Sequence, residues 1–403
     1  MHKNFRLISK EAFGTKSIVR LRDIGAVVHN YKLFKAKADA TGAICAAVLK
    51  GDVHGLQMND VAPALYAEGV RYFFIEDLSE GIELRSILPH VDAHIYTMAG
   101  LLRDEEQFFT RYDLIPCLNS LEQLQRWNHW CSQTGKAKAV IHLDTHMNRL
   151  GFLDDEVDLL SKEYSTLTAH VTIEFLMSHF FDIKGNDTTN CYMQLKVMED
   201  YRKKLPPLPV CFACTDSVIL LDNSVFNFDM IRPGIGLVGG APNADHPISP
   251  EARHTIEIFA KFSQVKRIKK GHTIGYGGAF TAKNDLVMAL VHIGYKDGYL
   301  RSLSETDVAP KGVYMYLAGY RLPVVGKISF GATTVDVTEV PRDLLEENFY
   351  VEVVGPNVDI RKLADIGGCY EILAALGRPN PKVADYTVEQ FSNKFRKATE
   401  STS

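Results

Sequence analysis

The sequence has no excess of positive charge, no disulfide framework and no long uninterrupted apolar run, and each lack excludes a class of protein. Lys and Arg number 45 against 49 Asp and Glu, a formal net charge of -4. No basic field is therefore available to hold nucleic acid or an anionic membrane surface. No apolar stretch approaches the roughly 20 residues that a membrane helix needs. The first residues are partly basic but lack an apolar core and a cleavage pattern, so no signal peptide is expected and the chain is expected to stay in the cytoplasm. The seven cysteines are an odd number without paired spacings. Cys211 and Cys214 form a single CxxC around an apolar Phe212-Ala213. With no second pair to support it, buried free thiols are expected there, and no metal site.

What is present is ordinary for a globular chain: 46% hydrophobic and 23% charged residues over 403 positions, enough for one large domain and a smaller one. Short apolar runs recur at 44–50, 72–75, 93–97, 114–118, 139–143, 173–178, 210–213 and 230–232. Between them lie helical patterns at 59–68, 78–88, 121–131, 155–164 and 192–203, after an earlier one around 30–37. Eight strands alternating with helices over about 190 residues predict an α/β fold, a (β/α)8 TIM-like barrel. A doubly wound open sheet is the competitor, but no GxGxxG follows the first run and eight units is many for an open sheet. Past residue 250 the runs 255–265, 286–293, 313–317, 323–328, 333–337 and 350–354 follow one another without intervening helices, which predicts a compact β domain. A helical stretch at 360–367, an apolar one at 370–376 and a polar tail at 397–403 complete the chain. The expected division is an N-terminal extension (1–17), a barrel (18–250) and a C-terminal mostly-β domain (251–403).

In such barrels the chemistry lies at the C-terminal ends of the strands, where the loops converge on one mouth. The first run ends at Lys50, followed by Gly51, His54 and Gly55. A lysine at the edge of an apolar wall is a candidate nucleophile or base, although a strand-end lysine can also simply reach out to water. The fifth run leads to His142, Asp144, Thr145 and Arg149, and the sixth to Ser178-His179. The seventh leads to Thr215-Asp216-Ser217 and the eighth to Arg232-Pro233-Gly234-Ile235. Five of eight strand ends carrying titratable or hydroxyl groups point to one polar cavity. The last two loops are where barrels commonly hold a phosphate, and Ser217 with the Gly234-Ile235 backbone offers donors to an anion. A lysine facing a phosphate site fits a phosphate-bearing aldehyde such as pyridoxal 5'-phosphate, and class I aldolases also use barrel lysines.

Six segments carry a more specific signal. VLKGDVHG (48–55), LDTHMNRLGF (143–152), LMSHF (176–180), FDMIRPGIGLVGGAP (228–242), HIGYKDGYLR (292–301) and VVGKISFGATTVDVT (324–338) resemble, in order and with similar spacings, the motifs of the alanine racemase family. The resemblance runs from about residue 17 to 386. It implies a fold type III pyridoxal-phosphate enzyme, a homodimer with shared active sites that interconverts L- and D-alanine to supply D-alanine for peptidoglycan. Lys50 would carry the cofactor as a Schiff base and act as base on the D-face of the substrate. Tyr295 would be the L-face base, reaching the site from the other subunit. His54, Ser217, Gly234, Ile235 and Tyr386 would hold the cofactor phosphate, His179 would stack by its ring, Arg232 would donate to the ring nitrogen, and Arg149 would hold the phenolic oxygen. Arg149 and the backbone of Phe330 would also contact the substrate.

The chain departs from the family pattern at several of these places. His54 stands where the family has a tyrosine. His142 replaces a lysine, often carbamylated, that buttresses the arginine corresponding to Arg149; no such modification is expected on a histidine. His146 replaces a glycine, and Phe330-Gly331 a Met-Asp pair. A racemase of another amino acid, serine for example, is the alternative on the same fold. A pyridoxal-phosphate homeostasis protein would lack the β domain and Tyr295. A related decarboxylase would carry a cysteine motif within 290–340, where this chain has none.

Overall fold

The computed structural model describes residues 15–183, 188–221, 226–240, 251–347, 350–367 and 371–400. Nine parallel strand segments follow one another around a barrel in the order Ile44–Cys45, Met230–Arg232, Val210–Cys214, Val171–Met177, Ala137–His142, Ile115–Leu118, His94–Thr97, Tyr72–Ile75 and Ala47–Val48. The two ends of that order belong to a single run. That run is bonded on both sides: Ala46 and Val48 N–H donate to the Ile231 and Pro233 carbonyls, while Leu49 N–H donates to that of Phe74. Bonding to both neighbours closes the barrel. Its interior is packed by residues from every strand, among them Ala46, Phe74, Tyr96, Cys117, Val140, Phe175, Cys211 and Met230, the layered filling expected of a small closed barrel.

Two of the helices between the strands begin at side-chain caps supplied by the sequence. Asp77 accepts from Glu80 N–H and Ser120 from Gln123 N–H, opening Leu78–Ile87 and Leu121–Thr134. Each helix buries its apolar stripe against the outside of the barrel, as with Leu124, Trp127 and Cys131.

The second sheet runs Tyr320–Pro323, Tyr314–Leu317, Tyr350–Val354, Ile256–Ile268, Ile18–Arg22 and Val383–Thr387, while Leu286–Val291 joins the far half of Ile256–Ile268 to Thr333–Asp336. Ile18–Arg22 falls in the span expected to be barrel. It lies instead inside this sheet, antiparallel to Ile256–Ile268 and parallel to Val383–Thr387. The described residues therefore pass from the β domain into the barrel and back. All five residues of the strand are buried. Val19 and Leu21 join Phe259, Tyr350 and Phe391 on one face, while Arg20 and Arg22 reach Asp385, Leu56 and Asp60 on the other.

Two expectations for the end of the chain are corrected. The run at 323–328 forms its strand earlier, at Tyr320–Pro323, and Val324 makes an isolated bridge to Val335. The polar tail is a helix, Val388–Glu400, with residues 401–403 outside the described residues. Its start carries a signal visible in the sequence, Thr387 and Gln390, each side chain accepting from the other's backbone N–H.

Candidate active site

Lys50 stands where the first barrel strand ends, on a turn with an unusual hand. Gly51, Asp52, Val53 and His54 all have φ between 51 and 65°, a single left-handed turn with three non-glycine residues. Each of those costs about 1–2 kcal/mol relative to ordinary backbone, so the surroundings must hold the turn. Asp52 Oδ1 accepts from Met58 N–H at 2.6 Å, and Glu80 Oε1 accepts from Gly51 N–H at 2.7 Å. From the β domain, Arg22 donates to the Leu56 carbonyl and Asp385 accepts from Gln57 Nε2.

The turn faces a cavity of about 400 Å³ at the barrel mouth, a volume suited to a small ligand. Lys50, His54, Arg149, His179, Arg232, Gly234 and Ile235 all line it, joined by Glu76, Met98, His142, Thr215 and Asp216. Arg149 is presented by a loop shaped by its neighbours. Asp144 Oδ1 accepts from Met147 and Asn148 N–H. Gly151, at φ 118°, lies where a Cβ would come within 2.5 Å of the Asp144 nitrogen.

The three imidazoles of the cavity are held neutral. Burial, with the Lys50 ammonium adding to it, lowers His54 to about 4. Burial with the Arg232 and Arg149 guanidinium groups lowers His142 to about 3, and the same causes hold His179 well below the ordinary range. Their tautomers follow from their partners. Arg232 can only donate, so His179 Nδ1, 3.2 Å from its Nη2, is an acceptor. His142 Nδ1 lies 2.6 Å from Asn119 Oδ1 and carries the proton, because Asn119 Nδ2 is committed to the Met98 carbonyl. Arg232 also donates to the Ser178 carbonyl, while its Nε is buried without a hydrogen-bond partner. Cys211 and Cys214 are free thiols, and burial pushes Cys211 up to about 11.

Three expected site residues lie elsewhere within the chain, and one more is placed differently at the phosphate end. Tyr386 is on the far face of its strand, its ring tilted against Phe391 and its hydroxyl accepting from Lys394 Nζ at 2.8 Å, because its neighbour Asp385 takes the barrel side. Ser217 is buried, and its hydroxyl closes on Cys214, accepting from its N–H and donating to its carbonyl. Thr215 is the hydroxyl that lines the cavity, and its Oγ1 accepts from both Gly234 and Gly236 N–H. Tyr295 and Phe330 sit together on the β domain, ring centroids 5.6 Å apart, with 39% and 59% of their surface exposed. Neither lines the Lys50 cavity of its own chain. Among the described residues no cluster of His, Cys, Asp or Glu has the arrangement of a metal site.

One residue at the lysine was missed by the sequence reading. Glu76 Oε2 is 2.9 Å from Lys50 Nζ. Neither apolar run signals it, because the two side chains meet only through the parallel register of the strands they end.

A closed α/β barrel with a lysine on its mouth and a β domain stapled to that lysine's loop defines a class of two-domain barrel enzymes. Sequence models place the chain within it: "Alanine racemase, N-terminal domain" matches residues 23–242 and "Alanine racemase, C-terminal domain" residues 255–384. The chain belongs to the alanine racemase family. It is 34% identical over 383 residues to "Alanine racemase" of Brucella abortus, covering 90% of this chain and 92% of that one. It is 34% identical over 361 residues to "Alanine racemase, catabolic" of Agrobacterium fabrum, covering 88% and 89%. Among solved structures, the alanine racemase of Bartonella henselae with covalently bound pyridoxal phosphate matches with a TM-score of 0.80 and 28% identity, covering 92% of this chain and 99% of that one. The biosynthetic alanine racemase of Pseudomonas aeruginosa shares the fold with a TM-score of 0.81 at 22% identity, over 92% and 99% of the two chains.

Proposed function

We propose that this protein is a cytoplasmic alanine racemase that uses pyridoxal 5'-phosphate, works as a homodimer and supplies D-alanine for peptidoglycan. The observation that carries the reading is the Lys50 amine at the mouth of a cavity that it lines together with Arg149, Arg232 and a neutral His179. The wall fits a planar anionic cofactor: it is rich in donors, and the buried Arg232 Nε lacks a partner. Arg232 would donate to the ring nitrogen, His179 would lie beside the ring and Arg149 would hold the phenolic oxygen. The phosphate would be held by the Ile235 backbone N–H, the Thr215 hydroxyl and neutral His54, which can donate one N–H; Gly234 N–H is already given to Thr215 Oγ1. Tyr386 and Ser217 are engaged elsewhere and take no part in this reading. Bound there, the cofactor would supply the electron sink that makes the substrate's Cα proton removable.

Racemisation then requires a proton taken from one face of Cα and returned on the other. Lys50 Nζ holds or releases it on the D-face. The phenol of Tyr295 from a second copy serves the L-face, which accounts for an exposed Tyr295 and Phe330 pair remote from the cavity of their own chain. Arg232 retains its own protons, so a ring nitrogen held by it would stay unprotonated and the cofactor would supply a restrained electron sink, which would disfavour side reactions.

A screen of L- and D-amino acids by chiral chromatography tests the substrate. Alanine is expected among the best; serine or another amino acid racemised in its place would overturn that assignment. Rescue of a D-alanine auxotroph tests the peptidoglycan role.

A further inference from the structure

We propose that Glu76 is a positioning residue for the Lys50 amine, holding it as an ammonium at the barrel mouth whenever it is not joined to the cofactor. The proposal rests on the reading of Lys50 given above.

The placement follows from register. Ala47–Val48 and Tyr72–Ile75 run parallel, with Ala47 opposite Phe73 and Val48 opposite Phe74. Two residues further along, Lys50 and Glu76 leave adjacent strand ends at the same level, and the ion pair closes at 2.9 Å. The two groups are about half exposed, at 44% and 53%, and an ordinary pair of that exposure contributes almost nothing, because two long side chains must be ordered to make it. This pair is different in what holds its backbone. The carboxylate of Glu80 accepts from Gly51 N–H through Oε1 at 2.7 Å and from Glu76 N–H through Oε2 at 2.8 Å. One side chain thus clamps the two turns that carry the partners, and part of the ordering is already met by the fold.

The charge around the cavity makes Glu76 distinctive. Lys50's own turn offers the neutral His54, and the other strand ends bring Arg149, Arg232 and the neutral His142 and His179. The other lining carboxylate is Asp216, in the helix Thr215–Leu220 that follows a strand two places away on the other side of Lys50 from Glu76. An amine freed among cations would be pushed from the wall. Glu76 supplies the counter-charge that keeps it at the strand end, from which it can return to the cofactor once it gives up its proton.

The test compares Glu76→Gln, Glu76→Asp and, as a control on the exposed face of the same helix that carries Glu80, Glu83→Gln. Each full-length chain is stripped of cofactor and mixed with pyridoxal 5'-phosphate over a range of pH, and covalent capture by Lys50 is read from the absorbance of the bound cofactor and from borohydride trapping. In Glu76→Gln the pH of half-maximal capture is expected to fall by about half a unit to one unit, the size of a screened contact between unit charges. Glu76→Asp is expected to recover most of that shift, and Glu83→Gln to leave the profile in place. A Glu76→Gln profile that overlays the Glu83→Gln one overturns the proposal. Failure of the unaltered chain to capture cofactor at Lys50 overturns the reading of the site, and this proposal with it.

Discussion

The backbone of Gly55, at the end of the Lys50 turn, rests directly on the backbone of Gly377 in the β domain. A Cβ on Gly55 would lie 2.1 Å from the Gly377 Cα, and a Cβ on Gly377 would lie 2.2 Å from the His54 carbonyl oxygen. No side chain intervenes, so the β domain acts on the barrel's functional turn at van der Waals contact.

Gly377→Ala must therefore push the turn away. Overpacking of this kind costs about 1–3 kcal/mol, and here it displaces His54 and Lys50 in particular. Cofactor affinity is expected to fall by an order of magnitude or more, with a modest drop in melting temperature. Equal affinity in the variant and the parent would show that the contact does not position the turn.

The second link between the domains is ionic. Asp385 accepts from the buried Arg20 at 2.5 Å and the buried Arg22 at 2.9 Å, and also from Gln57. Asp385→Ala leaves the buried Arg20 without its carboxylate and Arg22 with Asp60 alone, a change that costs about 3–5 kcal/mol when a buried pair is broken. Urea unfolding is expected to show a loss of that order. A loss below about 1 kcal/mol would place the pair among ordinary surface bridges.

The neutral histidines make stability depend on pH with a defined sign. Their folded values lie below the ordinary 6.5, at about 4 for His54 and about 3 for His142. As the pH falls below about 6.5 the unfolded chain takes up protons that the folded chain refuses, so the stability they contribute is complete above that value and is lost on going down through the window. Each group sets a slope on the order of 1.4 kcal/mol per pH unit there. His142→Asn is expected to flatten the dependence measured by urea unfolding between about pH 7 and pH 5; an unchanged slope would mean that His142 is charged in the folded protein.

The proposed sharing of active sites between two copies has a consequence for mixtures. Lys50→Ala and Tyr295→Phe should each abolish most racemisation alone. In a mixed dimer one site carries both changes and the other neither, so refolding the two together is expected to restore about a quarter of the activity. No recovery, with mixed dimers present by mass, would place Tyr295 outside the partner's site.

The loop of Arg149 offers a narrower test. Asp144→Ala removes the acceptor for two loop amides and is expected to loosen Arg149, raising KM more than it lowers kcat. An unchanged KM would show that the loop keeps its shape through Gly151 and Phe152 alone.

Much of this protein is determined by the sequence itself. Apolar runs at regular intervals specified the barrel, since each strand must bury both faces and each helix one stripe, and the strand ends brought Lys50, His54, Arg149, His179 and Arg232 to one mouth. Tertiary structure alone decided matters that turn on strand face and on partners distant in the chain. Ile18–Arg22 reads as a strand in any window, but its place between Ile256–Ile268 and Val383–Thr387 depends on segments more than 200 residues away. Tyr386 and Asp385 are adjacent in sequence, and the pleat sends them to opposite faces, so the carboxylate took the barrel side and the phenol was left outside. Ser217 was claimed by the cap of its own helix, leaving the cavity wall to Thr215. The Lys50–Glu76 pair joins the ends of two runs whose parallel register was not written in either run by itself, and only the pairing of Val48 with Phe74 set the two side chains together.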